Sequence, residues 1–429
     1  MTDRSGWPPG VGRRVISTVA TSGPDWRWPD YERSLAGAKH CPPLLRPPLW
    51  RALTAPLLAA SYTEWRYYAV IAPAFHGICG LALINPDDCC ARVAESGLLL
   101  IIAGIVDPPA PDRGSEATPP QPGEDLCWMH RFPLAGCKLD GGDLDAEDAG
   151  HRLTLRHDGP CHAEIELRSV SGLGLRMTHA GPPDSAIEPV FGDDFRHLPG
   201  AHWVVHCPSP FAASTGELHL GPELAETLPA APRPELPCRA SPRLLERIGD
   251  DTAHVRWQHA SGYAEHSYGV NPLPLHGWDF LFVPDAQRAQ SVVLQTYRGS
   301  RRLRYVEACW LDDQGRPRRQ RFDHAQMTLH WDERCFDPEL GVERPLRRTI
   351  RAEAAGLHLR VDNRVLHRIP LLRPERLLVR HFFISEEIGV ADWVLTDDRG
   401  RALAEARGQP CGGELAHFRL RTRAPRRAG

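Results

Sequence analysis

The chain has no C-x-x-C pair, no apolar run of membrane-spanning length and no large surplus of charge of one sign. Each absence removes a class of function. Its twelve cysteines are scattered, with Cys89-Cys90 adjacent, and no His, Cys or carboxylate spacing matches a metal site. They read as reduced, mostly buried thiols of a cytoplasmic protein. The most apolar run, Gly97 to Val106, is far too short to span a bilayer and reads as a buried strand. The N-terminus, Met1-Thr2-Asp3-Arg4-Ser5-Gly6-Trp7-Pro8-Pro9, lacks the apolar core of a secretory signal. A formal net charge of −3 argues against a general nucleic-acid binder. There is no Walker-type loop, no G-x-G-x-x-G opening a helix and no G-x-S-x-G elbow. In Ser171-Gly172-Leu173-Gly174-Leu175-Arg176 the serine precedes both glycines, so the stretch reads as strand or turn.

What is present is a succession of short strand patterns. With 429 residues, 37 glycines and 41 prolines, the chain is long enough for two units and punctuated throughout by turn signals. Thr63–Ile71, Gly77–Ile84, Leu153–His157, Ala163–Val170, Ser291–Tyr297, Leu303–Leu311, Leu357–Val361 and Ala391–Thr396 read as strands. His202–His206 and Gly216–Leu220 read as a further pair. Strands at this spacing without long helices predict antiparallel sheet in an all-β fold. The expected division is an N-terminal wrapping segment over residues 1–55, a first β unit over 56–235 and a second over 236–429. A Pro-, Asp- and Gly-rich stretch at 107–126 reads as an exposed loop, and Leu228 to Pro242 as a linker or surface insertion. The basic tail, Arg419 to Arg427, is either a solvated end or a contact for anionic headgroups at the membrane surface.

Chemistry concentrates in Ser261-Gly262-Tyr263-Ala264-Glu265-His266-Ser267-Tyr268-Gly269 and the following Gly277-Trp278-Asp279-Phe280. An acid beside aromatic faces is what chemistry on an unactivated C=C bond needs. Protonating an alkene makes a carbocation, which a ring face stabilises through its quadrupole. A neighbouring imidazole or carboxyl supplies the proton or steers a water. His266, Glu265 and Asp279 are therefore the candidate catalytic residues, His266 first because imidazole switches protonation near neutral pH. Tyr268, Trp278, Trp203, Tyr297 and Tyr263 are the candidate ring walls. In a regular strand Glu265 and His266 point to opposite faces; His266 shares its face with Tyr268, and Glu265 with Tyr263. Each of these residues also has a plain structural reading, as a core ring, a hydrogen-bonded histidine or a strand-end aspartate.

Three places in the chain resemble one superfamily: Glu64-Trp65-Arg66-Tyr67-Tyr68 leading into Phe75-His76-Gly77-Ile78-Cys79-Gly80-Leu81; His202-Trp203-Val204-Val205; and Gly262 to Gly269. This is the tandem-lipocalin group that includes carotenoid 1,2-hydratases, AttH-like proteins and, more distantly, tocopherol cyclases. The resemblance implies two lipocalin-like β-barrel or sandwich units packed together. It also implies an enzyme, a hydratase or cyclase, acting on a C=C bond of a long isoprenoid or polyene by acid/base chemistry without a cofactor. The alternative is a carrier of a hydrophobic ligand. The expected partner is a hydrophobic small molecule, with peripheral membrane contact and no nucleic acid. Two departures stand out: Tyr268 replaces the hydratases' Trp, and Tyr297-Arg298-Gly299 lacks the carboxylate of their later Tyr-x-Asp. Asp279, Glu265 and Glu307 are the candidates to replace it. The central expectation is that His266 borders an apolar chamber with a carboxyl within hydrogen-bond reach.

Overall fold

The computed structural model describes residues 24–27, 62–86, 88, 95–108, 124–192, 202–228, 238–250, 252–270, 277–337, 342–372 and 379–420. The described chain forms two antiparallel sheets. The first is built from β1 (Tyr62–Ile71), β2 (Phe75–Ile84), β3 (Gly97–Val106), β4 (Glu124–Phe132), β5 (Cys137–Asp140), β6 (Asp143–Asp148), β7 (His151–His157), β8 (His162–Arg168), β9 (Leu173–Ala180), β10 (Ile187–Gly192), β11 (His202–Leu220), β12 (Arg239–Ala240) and β13 (Ala253–Val270). Its order is β12-β4-β3-β2-β1-β13-β11-β9-β8-β7-β6-β5, with β10 on β11. The second contains β14 (Trp278–Asp285), β15 (Gln290–Tyr297), β16 (Arg304–Leu311), β17 (Pro317–Asp323), β18 (Met327–Asp337), β19 (Val342–Ala354), β20 (Leu357–Leu372), β21 (Val379–Asp397) and β22 (Ala402–Leu420). Its order is β17-β16-β15-β14-β22-β21-β20-β19-β18. Two short helices, α1 (Pro222–Thr227) and α2 (Pro242–Asp250), contribute Leu224, Leu244 and Ile248 to the first sheet's core.

Both sheets curl. In the first, Leu126 and Trp128 of β4 join one apolar cluster with Leu144 and Ala146 of β6, although these strands stand near opposite ends of the hydrogen-bonded order. In the second, Leu281 of β14 clusters with Ile350 of β19 and Phe322 of β17. A third cluster lies between the sheets. It joins Tyr67, Leu99, Ile101 and Tyr263 of the first to Phe280, Phe282, Ile369 and Ile384 of the second. This explains the apolar run in β3. Leu98, Leu100 and Ile102 face the first core, while Leu99, Ile101, Ala103 and Ile105 face the other sheet. A strand covered on both faces is apolar at every position instead of alternating.

Several expectations change in detail. His202–His206 and Gly216–Leu220 are one bent strand, β11, whose register against β13 shifts three times. Bulges of this kind bend a long strand without ending it, so its interior reads as a break in the alternation. The strand carrying the Glu265-His266 motif pairs with β1 and β11 and sits mid-way in the first sheet, although it follows residue 236. Of the N-terminal segment, residues 24–27 are described. They pack onto the first unit, with Trp26 buried in its core. Most of 107–126 and of 228–242 and the end of the basic tail lie outside the described residues. Nine free cysteines are described, six of them buried. Among the described residues no helix is long and apolar enough to cross a membrane.

Candidate functional site

The two-residue period of β1 and β13 sorts their chemistry into two compartments. Tyr62, Glu64, Arg66 and Tyr68 of β1 point into the first unit together with His266 and Tyr268 of β13, and the register pairs Glu64 with Tyr268 and Arg66 with His266. The intervening residues, Tyr67, Tyr263 and Glu265, point to the second sheet. Asp279 takes a third position, inside the second unit.

Glu64 is fully buried, and its carboxylate is saturated with donors. The His266 ring lies 2.7 Å from Oε1 through Nε2, the Tyr62 hydroxyl donates to Oε2 at 2.6 Å, and the Arg27 backbone N–H donates to both oxygens at 2.9 and 3.0 Å. Burial pushes the carboxyl up, but the hydrogen bond with His266 and the charge of Arg66 leave its pKa lowered. Burial, helped by Arg66, takes the His266 imidazole down to about 4. At neutral pH it is therefore a neutral ring, donating Nε2–H to Glu64. The expected carboxyl is within reach, but the imidazole holds no spare proton to give an alkene. The space beside it is a cleft of about 20 Å³, lined by Arg66, Tyr68, His157, His162, His179 and Ser209 among others. This is a small polar cleft where an apolar chamber is expected.

Asp279 is 3% exposed and belongs to a buried ionic network. Arg348 bridges it at 2.9 Å and also pairs with Glu387, which in turn holds Arg368; Trp331 Nε1 donates to Asp279 Oδ2 at 2.9 Å. Held by a guanidinium and an indole, Asp279 reads as part of a structural ion-pair network. Glu307 is likewise engaged, with Arg321 at 2.7 Å.

Glu265 stands in a different setting. Its carboxyl accepts hydrogen bonds from Ser267 at 2.5 Å, Gln295 at 2.6 Å and Tyr263 at 2.9 Å, all neutral donors. Desolvation outweighs these bonds and raises its pKa. Two further acids join it from the second sheet. Glu386 of β21 and Glu414 of β22 are direct cross-strand partners. Like charges at such a position repel, so the pair favours holding a proton. Glu386, 3% exposed, accepts from Tyr67 at 2.7 Å, and Glu414 accepts from Trp278 Nε1. Burial, with the Glu414 charge added, holds Glu386 well above the carboxylate range; burial brings Glu414 to about 8, with Glu265 contributing. At neutral pH the Glu386–Glu414 pair therefore holds a proton.

Rings enclose them. Tyr263 stacks on Phe282 with centroids 4.8 Å apart, Tyr67 meets Phe280 and Phe282 edge-on near 6 Å, and Trp278 stacks on Tyr297 at 5.4 Å. Trp203 lies 6.3 Å beyond Tyr297. Glu265, Glu414, Trp278 and Tyr297 keep part of their surface exposed, so the cluster is reached from solvent. A void of about 10 Å³ borders Glu386, close to the least that holds a water. The structure thus brings together Glu265, Tyr263, Trp278, Tyr297 and Trp203 of the sequence-derived set. It separates His266 and Tyr268 to one side and Asp279 to another. Sequence reasoning missed Glu386 and Glu414. The available signal was the apolar run Phe382-Phe383-Ile384-Ser385-Glu386-Glu387-Ile388, where adjacent glutamates inside a strand pattern mark buried acids on both faces.

No family model matches the chain, and no curated protein matches it in sequence. Among solved structures it is similar to CghA (13% identity, TM-score 0.47, 84% of this chain and 89% of that one). It is also similar to kievitone hydratase from Nectria haematococca (8%, TM-score 0.44, 84% and 92%). A third is an AttH-like protein from Nitrosomonas europaea (12%, TM-score 0.42, 83% and 92%).

Proposed function

We propose that this protein is an acid/base enzyme of hydratase or cyclase type, acting on a C=C bond of a long apolar isoprenoid or polyene, with the intersheet carboxyls as its proton source. The observation that carries the reading is the Glu386–Glu414 pair, two facing acids with raised pKa values set among aromatic rings. An unactivated alkene is a weak base, and its protonation needs a neutral acid in a dry setting that also tolerates a cation. A carboxyl transfers its proton to one alkene carbon and becomes a carboxylate. The cation left on the other carbon lies against ring faces, each worth about 2 kcal/mol when desolvated. Water then adds to that carbon and returns a proton to the carboxylate, so the net change is addition of H₂O. In the cyclase variant a second double bond attacks the cation, and proton loss to the carboxylate restores neutrality. His266 has no place in this step, because its ring lies on the other face of β13 and is neutral.

The test supplies a terminal-alkene carotenoid or prenyl substrate to the full chain in heavy water. The expected product carries one deuterium on carbon. Glu386→Gln and Glu414→Gln are each expected to lose about 10²-fold or more in turnover, the range of a lost general acid. His266→Gln is expected to retain deuterium incorporation. Substrate binding without deuterium in any product would move the assignment to a hydrophobic-ligand carrier.

A further inference from the structure

The cleft beside His266 has a polar lining that the alkene chemistry leaves unused. It reaches the surface at Pro160, in the turn between β7 and β8, and ends at His266 and Ala264 on β13. Its volume, about 20 Å³, exceeds the ~10–15 Å³ that one water requires. Six buried polar atoms of its lining have no hydrogen-bond partner in the protein: Arg66 Nε, His157 Nδ1, His162 Nδ1, both ring nitrogens of His179, and Ser209 Oγ. Groups buried in this way cost about 1–3 kcal/mol each unless something satisfies them, and more when charged. His179 and Ser209 are each 1% exposed, and Arg66 is 2% exposed.

The charge of the compartment selects the occupant. The hydrogen bonds of Arg66 go to neutral acceptors, the Pro24 carbonyl and the His157 ring at 3.2 Å, and its plane lies 4.1 Å over Trp26. Glu64, the nearby buried carboxylate, already accepts from His266, Tyr62 and Arg27. Asp143 stands on the far side of His157, 3.9 Å from its Nδ1 and 40% exposed, where solvent screens it. The rings of His157, His179 and His266 are neutral because burial depresses them to about 3, 4 and 4. Beside the Arg66 guanidinium the cleft is lined by these neutral imidazoles and by Ser209 and Tyr68; Glu265 joins the lining from β13, with its carboxyl bonded to Ser267, Gln295 and Tyr263.

We propose that this cleft binds a carboxylate group, with Arg66 as its counter-ion and His179 and Ser209 as neutral donors. The inference is independent of the alkene reading, since none of these residues takes part in that chemistry. The group is either a free small anion or the head of a longer acid whose tail leaves past Pro160.

The experiment measures saturation transfer and titration of formate and of hexanoate on the full chain, with neutral formamide as the isostere. Saturable formate or hexanoate binding without formamide binding is the expected result. Arg66→Met should weaken it by about ten- to a hundred-fold, the loss of a charge-assisted bond, and Ser209→Ala by a few-fold. Hexanoate binding tighter than formate would identify the head of an organic acid; formate alone would identify a free anion. No saturable binding of either, formamide binding as well as formate, or affinity unchanged in Arg66→Met would each overturn the proposal. Should Arg66→Met fail to fold, the formamide control and Ser209→Ala decide it.

Discussion

On one face of β13, His266 sits among Arg27, Arg66 and the depressed imidazoles of His157, His179 and His206. On the other, Glu265 sits with Glu386, Glu414 and the phenols of Tyr67 and Tyr263. Both faces bury titratable groups, and both keep most of them uncharged at neutral pH. They do so from opposite sides. The first holds imidazoles neutral beside the saturated Glu64 carboxylate and the Arg66 guanidinium; the second raises the pKa values of three carboxyls set among neutral donors. One strand thus separates a compartment suited to accepting negative charge from one suited to giving up a proton. The second unit's interior differs from both, because there Arg348 bridges Asp279 and Glu387, and Arg368 also pairs with Glu387.

The comparison breaks most severely at Glu64. Glu64→Leu leaves the His266 and Tyr62 donors and the Arg27 N–H without their acceptor and Arg66 without a nearby opposite charge. A loss of about 3–5 kcal/mol is expected in urea unfolding, the cost of removing one partner from a buried ionic site. A loss within the range of ordinary surface substitutions would show that solvent reaches this cluster freely.

The pH dependence of stability sharpens the contrast. Carboxyls raised in the fold contribute stability that is complete below their unfolded value of 4.5 and is lost as pH rises toward about 8, the Glu414 value. Histidines depressed in the fold act in the other direction. Their contribution is complete above 6.5 and is lost as pH falls toward about 4 for His266 and His179. The denaturation midpoint is therefore expected to peak between roughly pH 4.5 and 6.5, with the alkaline arm set by the intersheet carboxyls and the acid arm by the imidazoles around His266 together with His76. Glu414→Gln should flatten the alkaline arm and leave the acid arm. His206→Leu should flatten the acid arm, since both nitrogens of His206 are buried without a partner and its pKa is about 3. Either variant altering the opposite arm would refute the separation.

The smallest effect is expected at Trp278→Phe. It keeps the ring but removes the N–H that lowers the Glu414 pKa, so it should cost about 1 kcal/mol and move the alkaline midpoint upward. A downward shift would mean that the indole instead favours the proton on Glu414.

Much of this molecule was legible in its sequence. The strand at Gly97–Val106, the alternation read over Ala163–Val170, which the strand His162–Arg168 carries as far as Arg168, and the turn signals that end the strands all report local periodicity, which survives folding. The face assignments of His266 with Tyr268 and of Glu265 with Tyr263 follow from the same period. The site was less legible. Glu64 lies 202 residues from His266, and Glu386 lies 319 from Tyr67, so no local pattern pairs them. Asp279 sits next to Trp278 in sequence, yet the pleat sends one to the second core and the other to the interface.

The amino-acid sequence by itself determined an all-β chain, its strands and which residues share a strand face, because alternation is written into neighbouring positions. The tertiary structure decided which faces meet, and with that which acids stay protonated and which become ions. A pKa depends on distance to charge and on loss of water, and both are set when strands far apart in the chain are brought side by side.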